Sequence, residues 1–186
     1  EYFLGQVTIY NHQKTFASNE NDAQENDLIA QIYRDSLLQC KEVPSNVRAF
    51  MSAPTLLFHK KYDNAIHILD SVYKSYAPYS RDAGIIAYSL ASAYQGKNDS
   101  KNMIKYFAIS AISDVLNGAR ENLSLKILAK LIFESGDIDR AYKYMKNAME
   151  DAILCNARIN TIEASDMYLF IDKAFQEKEK NKFTFM

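Results

Sequence analysis

Apolar residues along the chain recur at helical steps. Leu28, Ile29, Ile32, Tyr33, Leu37 and Leu38 form a stripe spaced by threes and fours, which places them on one side of an α-helix. The pattern also repeats at a longer step of 38 residues. Ala65, Met103 and Ala141 are 38 apart, as are Leu69, Phe107 and Met145, and Val72, Ser110 and Ala148. Upstream, Ala53, Ala91 and Ala129 keep the same step, and so do Leu56, Tyr94 and Ile132. Positions 65, 69 and 72 lie on one helical face, and 53 and 56 on a face of the helix before it. Small residues at 91, 129, 141 and 148 let antiparallel helices approach closely, while larger ones at 94, 107 and 145 fill the space between. Gly136-Asp137 and Gly96-Lys97-Asn98-Asp99 stand between the faces as turn signals, with Gly ending one helix and Asp or Asn capping the next. Each unit is therefore predicted to be a helix–turn–helix hairpin.

The run Leu128-Ala129, Ile132, Gly136-Asp137, Ala141, Met145, Ala148 resembles the tetratricopeptide (TPR) motif column for column. Leu90-Ala91, Tyr94, Met103, Phe107, Ser110 matches it less fully. Ala53, Leu56, Tyr62, Ala65, Leu69, Val72 matches least, with Pro54 inside its first helix. The resemblance implies an all-α fold, a TPR-like α-α superhelix of antiparallel helical hairpins. Its repeats occupy 46–79, 84–117 and 122–155 within one domain covering 1–186. Four residues separate successive motifs (Ser80–Ala83, Gly118–Glu121, Asn156–Ile159). They predict helices longer by about one turn, roughly 6 Å.

Residues 1–43 carry two degenerate N-terminal helices, 2–16 and 26–40, joined by Asn19-Glu20-Asn21-Asp22. They are either a decayed first hairpin or the end of preceding repeats. Residues 160–180 read as a capping helix over the last unit, running into a solvated end at Glu177–Lys182. Residues 181–186 read as a tail toward a missing segment. With no initial Met, the chain reads as part of a longer protein.

Composition narrows the function. Hydrophobic residues make up 48% of 186, Gly and Pro number 5 and 3, and the net charge is −1. That supports a helical core and argues against nucleic-acid binding, because Lys and Arg gather on no face. Cys40 and Cys155 are too far apart in sequence for a CxxC motif and read as free thiols. No signal peptide or membrane span is legible. His12, His59 and His67 fit no metal-binding spacing, and no nucleophile elbow, P-loop or dinucleotide fingerprint occurs. The chain reads as a non-enzyme with no catalytic, metal or cofactor site. Asn98-Asp99-Ser100 and Asn122-Leu123-Ser124 match the glycosylation pattern only formally.

A narrower resemblance rests on Tyr106–Asp114, Gly136–Tyr142 and Glu150–Arg158. These stretches are similar to membrane-anchored bacterial transcriptional regulators with extracytoplasmic TPR repeats. The resemblance implies a periplasmic sensor region cut before a membrane span, with a homodimer as one arrangement. The alternative is a cytoplasmic TPR scaffold that docks a partner. In either case the TPR motif implies a concave groove for a protein or peptide, with an anionic group on a peptide or glycan as a candidate ligand. The motif's inward positions fall on Ile85, Tyr88, Ser92 and Gln95 in the middle unit, Leu123, Lys126, Lys130 and Phe133 in the third, and Thr161, Ala164, Tyr168 and Ile171 in the cap. The expected partner site is Tyr88, Ser92, Gln95, Lys126, Lys130, Phe133 and Tyr168. A carboxylate clamp of the co-chaperone type is at most half present, since Phe50, Pro54 and Ser92 replace its Lys and Asn residues.

Overall fold

A computed structural model describes residues 2–120, 123–155 and 158–184, with side chains omitted at 12, 15, 158–160, 163 and 182–184. Among the described residues the secondary structure is helical throughout: α1 (Tyr2–Thr15), α2 (Glu20–Gln39), α3 (Ser45–Phe58), α4 (Tyr62–Tyr73), α5 (Arg81–Gly96), α6 (Ser100–Leu116), α7 (Leu123–Glu134), α8 (Ile138–Leu154) and α9 (Arg158–Thr184). Each helix packs on the next, and α3 touches α5 as α7 touches α9. The first helices of the hairpins thus form one layer and the second helices another. This is an all-α superhelix of hairpins.

The 38-residue step has a backbone origin. Lys60, Asn98 and Gly136 all have positive φ, at 56°, 59° and 91°, and are 38 apart. At each, the first helix ends in the same pair of hydrogen bonds. The N–H groups of Lys61, Asp99 and Asp137 donate to the carbonyls of Leu56, Tyr94 and Ile132 at 2.8, 3.0 and 3.2 Å. Those of Lys60, Asn98 and Gly136 donate to Leu57, Gln95 and Phe133. This left-handed closure satisfies the last carbonyls of a helix. The following helix starts at once. Asp99 and Asp137 accept from the backbone N–H of Asn102 and Arg140 at 3.1 and 3.0 Å, whereas Lys61 at the matching position offers no side-chain cap. Asn102, first through its side-chain amide, holds Asp99 below the usual carboxylate range. The Arg140 N–H, followed by its guanidinium, does so for Asp137.

Gly96 is the last residue of α5, as expected, and the left-handed turn follows two residues later at Asn98. A Cβ on Gly96 would fall 2.2 Å from the Tyr62 ring, so its missing side chain admits the neighbouring hairpin. The core columns pack as their spacing implies. Residues 53, 91, 129, 65, 103, 141, 69, 107, 145, 72, 110 and 148 are all buried, and Leu56, Tyr94 and Ile132 are half-buried beside them. Between α6 and α7, where both backbones come close, Ser124 and Ser110 share a buried hydrogen bond of 2.7 Å.

Other expectations shift. α2 begins at Glu20 rather than 26, because Asn19 caps it by accepting from the Asp22 N–H at 2.9 Å. The supposed connector is therefore helix start. α5 takes in Arg81–Ala83, but Gly118 to Arg120 follow the end of α6 at Leu116, so that insertion does not lengthen a helix. Its last residue, Glu121, and the positions Asn122, Asn156 and Ala157 lie outside the described residues. Pro54 is accommodated within α3. α9 runs to Thr184, so 181–184 continue the helix, and 185–186 lie outside the described residues. Lys178, expected in a solvated end, instead pairs with Asp139 in the first turn of α8. The N-terminal hairpin is tied on by Arg48, whose guanidinium donates to the Leu38 and Cys40 carbonyls at the end of α2.

Two stability changes follow. Lys60→Gly should raise unfolding free energy by about 0.5–1 kcal/mol, since only glycine adopts positive φ without a steric cost. Ala141→Leu should lower it by about 1–3 kcal/mol through overpacking at a fully buried site. Urea denaturation midpoints of both variants check the closure and the register.

Candidate functional site

The layer of first helices, which the motif makes the inner one, consists of α1, α3, α5, α7 and α9. On α5, Ile85 and Gln95 are exposed, while Tyr88 and Ser92 are half-buried. The Tyr88 ring stands edge-on to Phe107 at 5.6 Å. The Ser92 hydroxyl donates to the Tyr88 carbonyl at 3.0 Å, a bond within its own helix. On α7, Lys130 is exposed, and Lys126 and Phe133 are half-buried. Lys126 and Lys130, four residues apart, share one side of the helix. Phe133 stands edge-on to Phe170 of α9 at 5.5 Å.

The cap departs from the expected groove. Ala164 and Ile171 are buried in a core cluster with Ala129, Ala141 and Met145, so they pack rather than line a surface. The register that puts them inward also brings Tyr168 against α8. Its ring lies 5.9 Å from that of Tyr142, and the two hydroxyls are 3.4 Å apart. Tyr142 in turn stacks on Phe175 at 4.3 Å. The contact with Tyr142, followed by burial, pushes the Tyr168 hydroxyl up to about 12. Thr161 remains half-buried. Phe133 is thus joined to the cap, whereas Tyr168 is held in a ring cluster with α8.

A cleft of about 130 Å³, not legible from spacing, lies where the first helices of three successive hairpins meet. Leu4 of α1, Val47, Phe50 and Met51 of α3, and Ile85 and Ile86 of α5 supply apolar walls. Asn46 and Asp82 are the polar groups on α3 and α5. Of these residues Ile85 and Phe50 were motif-derived groove positions. Phe50 carried a usable signal, since it stands where a clamp would place a polar residue. A second cleft, about 490 Å³, opens between α2 and α3 beside Leu28, Gln31, Asp35, Thr55, Phe58 and His59. Gln31 crosses it, donating to Thr55 at 3.2 Å and accepting from Arg34. Arg34 is buried and its Nε has no hydrogen-bond partner among the described residues. Burial lowers its pKa.

The described residues contain no group of three or more His, Cys, Asp or Glu positioned to hold a metal. His59 and His67 are exposed, and the His12 side chain lies outside the described residues. Cys40 and Cys155 are half-buried and not joined in a disulfide among the described residues. Among the described residues no helix is long and apolar enough to cross a membrane.

A family model described as the SusR N-terminal TPR domain matches residues 1–166. Comparison with curated proteins gave no match, and comparison with solved structures gave none.

The Tyr142–Tyr168 pair has a pH signature. The Tyr168 pKa is raised in the folded chain above its ordinary value of 10.0. Its contribution to stability is therefore complete below pH ~10 and is lost as pH rises toward about 12. Tyr142→Phe should move one phenol back toward the ordinary value in a 295 nm titration and flatten the loss of stability over that interval.

Proposed function

The chain belongs to the family of SusR N-terminal TPR domains, and from this we propose that it is a non-catalytic sensing and interaction module that holds a protein or peptide on its inner layer. TPR domains mediate protein–protein interactions and are generally non-catalytic. The observation that supports the reading is the apolar cleft between α1, α3 and α5; Lys126 and Lys130 lie farther along the same layer, on α7. Apolar side chains of a bound segment fit Phe50, Met51 and Ile85. An anionic group on the same segment fits the two lysines, with Tyr88, Ser92, Gln95 and Phe133 between or beside them.

In its fuller form, the chain is the periplasmic sensor of a membrane-anchored bacterial transcriptional regulator. Occupation of the inner layer changes the curvature of the stack or the arrangement of two copies, and α9 passes that change toward the membrane. Family membership supports this. A cytoplasmic scaffold that docks a partner without signalling is the second reading, and it uses the same surface. An apolar span of about 20 residues encoded soon after Met186 is expected on the first reading; its absence from the gene would favour the second.

The groove is tested with peptides selected from a random library on the immobilised chain. Lys126→Glu with Lys130→Glu should weaken acidic peptides at least about tenfold, roughly 1.4 kcal/mol. Its melting temperature should scarcely change, because substitutions of surface charge shift stability by only about 0.5 kcal/mol. Unchanged binding would remove the lysines from the site. A large fall in melting temperature would make them structural.

A further inference from the structure

α9 is covered on one side only. Ala164 and Ile171 face the core and are 1% and 0% exposed, whereas Ile162, Leu169 and Phe170 are 61%, 66% and 63% exposed. A helix that ends a stack of hairpins usually turns a polar side to water. Here Ile162, Asp166, Leu169 and Lys173 follow one another at steps of four, three and four, which is a single helical face. Phe170 borders it, its ring set by the edge-on contact with Phe133. Asp166 and Lys173 are both exposed. Among the described residues neither belongs to an ion pair within the chain.

The charges have a definite order. Asp166 lies about one turn before the apolar pair Leu169-Phe170, and Lys173 about one turn after it. A face with opposite charges on the two sides of an apolar centre is complementary to itself when reversed. We infer that this face is where two copies of the chain meet, paired antiparallel through α9 about a two-fold axis between Leu169 and Phe170. In that register position 166 of one copy lies opposite 173 of the other, so an Asp166–Lys173 contact forms twice. The two Leu169-Phe170 pairs make the apolar centre. Ile162 lies over the aliphatic stem of Glu177 of the other copy. A parallel pairing would instead oppose Asp166 to Asp166 and Lys173 to Lys173. The contact is isologous, as closed two-fold dimers require. It leaves the cleft between α1, α3 and α5 open and does not depend on what the inner layer binds.

Sedimentation of the 186-residue chain from about 1 µM to about 1 mM, which brackets weak to moderate affinities, should show a monomer–dimer equilibrium. Leu169→Glu should leave a monomer with unchanged helical circular dichroism. Asp166→Lys alone and Lys173→Asp alone should each weaken dimerisation by about tenfold or more, because each puts like charges opposite one another at two symmetric places. Combining Asp166→Lys with Lys173→Asp restores both contacts in reversed order and should recover the wild-type constant. A wild-type chain that stays monomeric over the whole range overturns the inference. So does a dimer indifferent to Leu169→Glu, or a double variant as weak as the single ones.

Discussion

Every hairpin in this chain depends on how closely its two helices approach. That distance is set by small side chains at the crossing: Ala53 and Ala65 in the first repeat, Ala91 in the second, Ala129 and Ala141 in the third, all fully or almost fully buried. An alanine contributes little transfer energy itself. Its effect is to let the larger neighbours Leu69, Phe107 and Met145 interlock with the facing helix in full contact, and such dense packing is where most of the stabilisation arises. The same short distance explains Gly96, where a methyl group would collide with the Tyr62 ring of the preceding hairpin. It also explains the Ser110–Ser124 bond, because two backbones close enough for serine still have to satisfy the hydroxyls.

The turns follow from that approach. Helices this close need a short reversal, and the left-handed closure at 60, 98 and 136 provides one in which both orphan carbonyls find donors. Lysine, asparagine and glycine occupy the same conformation in successive units, so the fold imposes the geometry and the residue adapts at differing cost. The aspartates that follow in the second and third units add a cap that the first unit lacks. The least regular repeat by sequence is therefore also the one with the poorest turn chemistry, and it borders the apolar cleft on the inner layer.

A stack of this kind exposes two different surfaces. The inner layer is a lengthwise surface, with an apolar cleft near its start and cationic side chains farther on, suited to an extended segment of another protein. The end of the stack is a single helix face at α9, the proposed meeting place of two copies. The two proposed surfaces adjoin where Phe133 of α7 meets Phe170 of α9. In a stack of this kind each hairpin contacts its neighbours, so a change at one unit passes to the next.

The sequence by itself determined the helical class, the hairpins and the buried columns. Local spacing and capping chemistry are enough to place Ala129, Asp137 or Met145, because each acts within its own hairpin. It also indicated the pair Lys126 and Lys130, whose shared side of α7 follows from helical geometry alone. Other features depend on contacts between distant parts of the chain. Ala164 and Ile171 looked like groove positions by motif count, but α9 has no second helix of its own and turns that side into the core. Tyr168 is drawn against Tyr142 for the same reason. Gly96 ends its helix as its type suggests, but only the position of Tyr62 shows that a side chain there would collide with the preceding hairpin. The cleft of Leu4, Phe50 and Ile85 joins residues from three hairpins that no single repeat brings together. Tertiary structure decided these points because a repeat fixes what each unit contacts within itself, while the ends and the seams between units are settled by what packs against them.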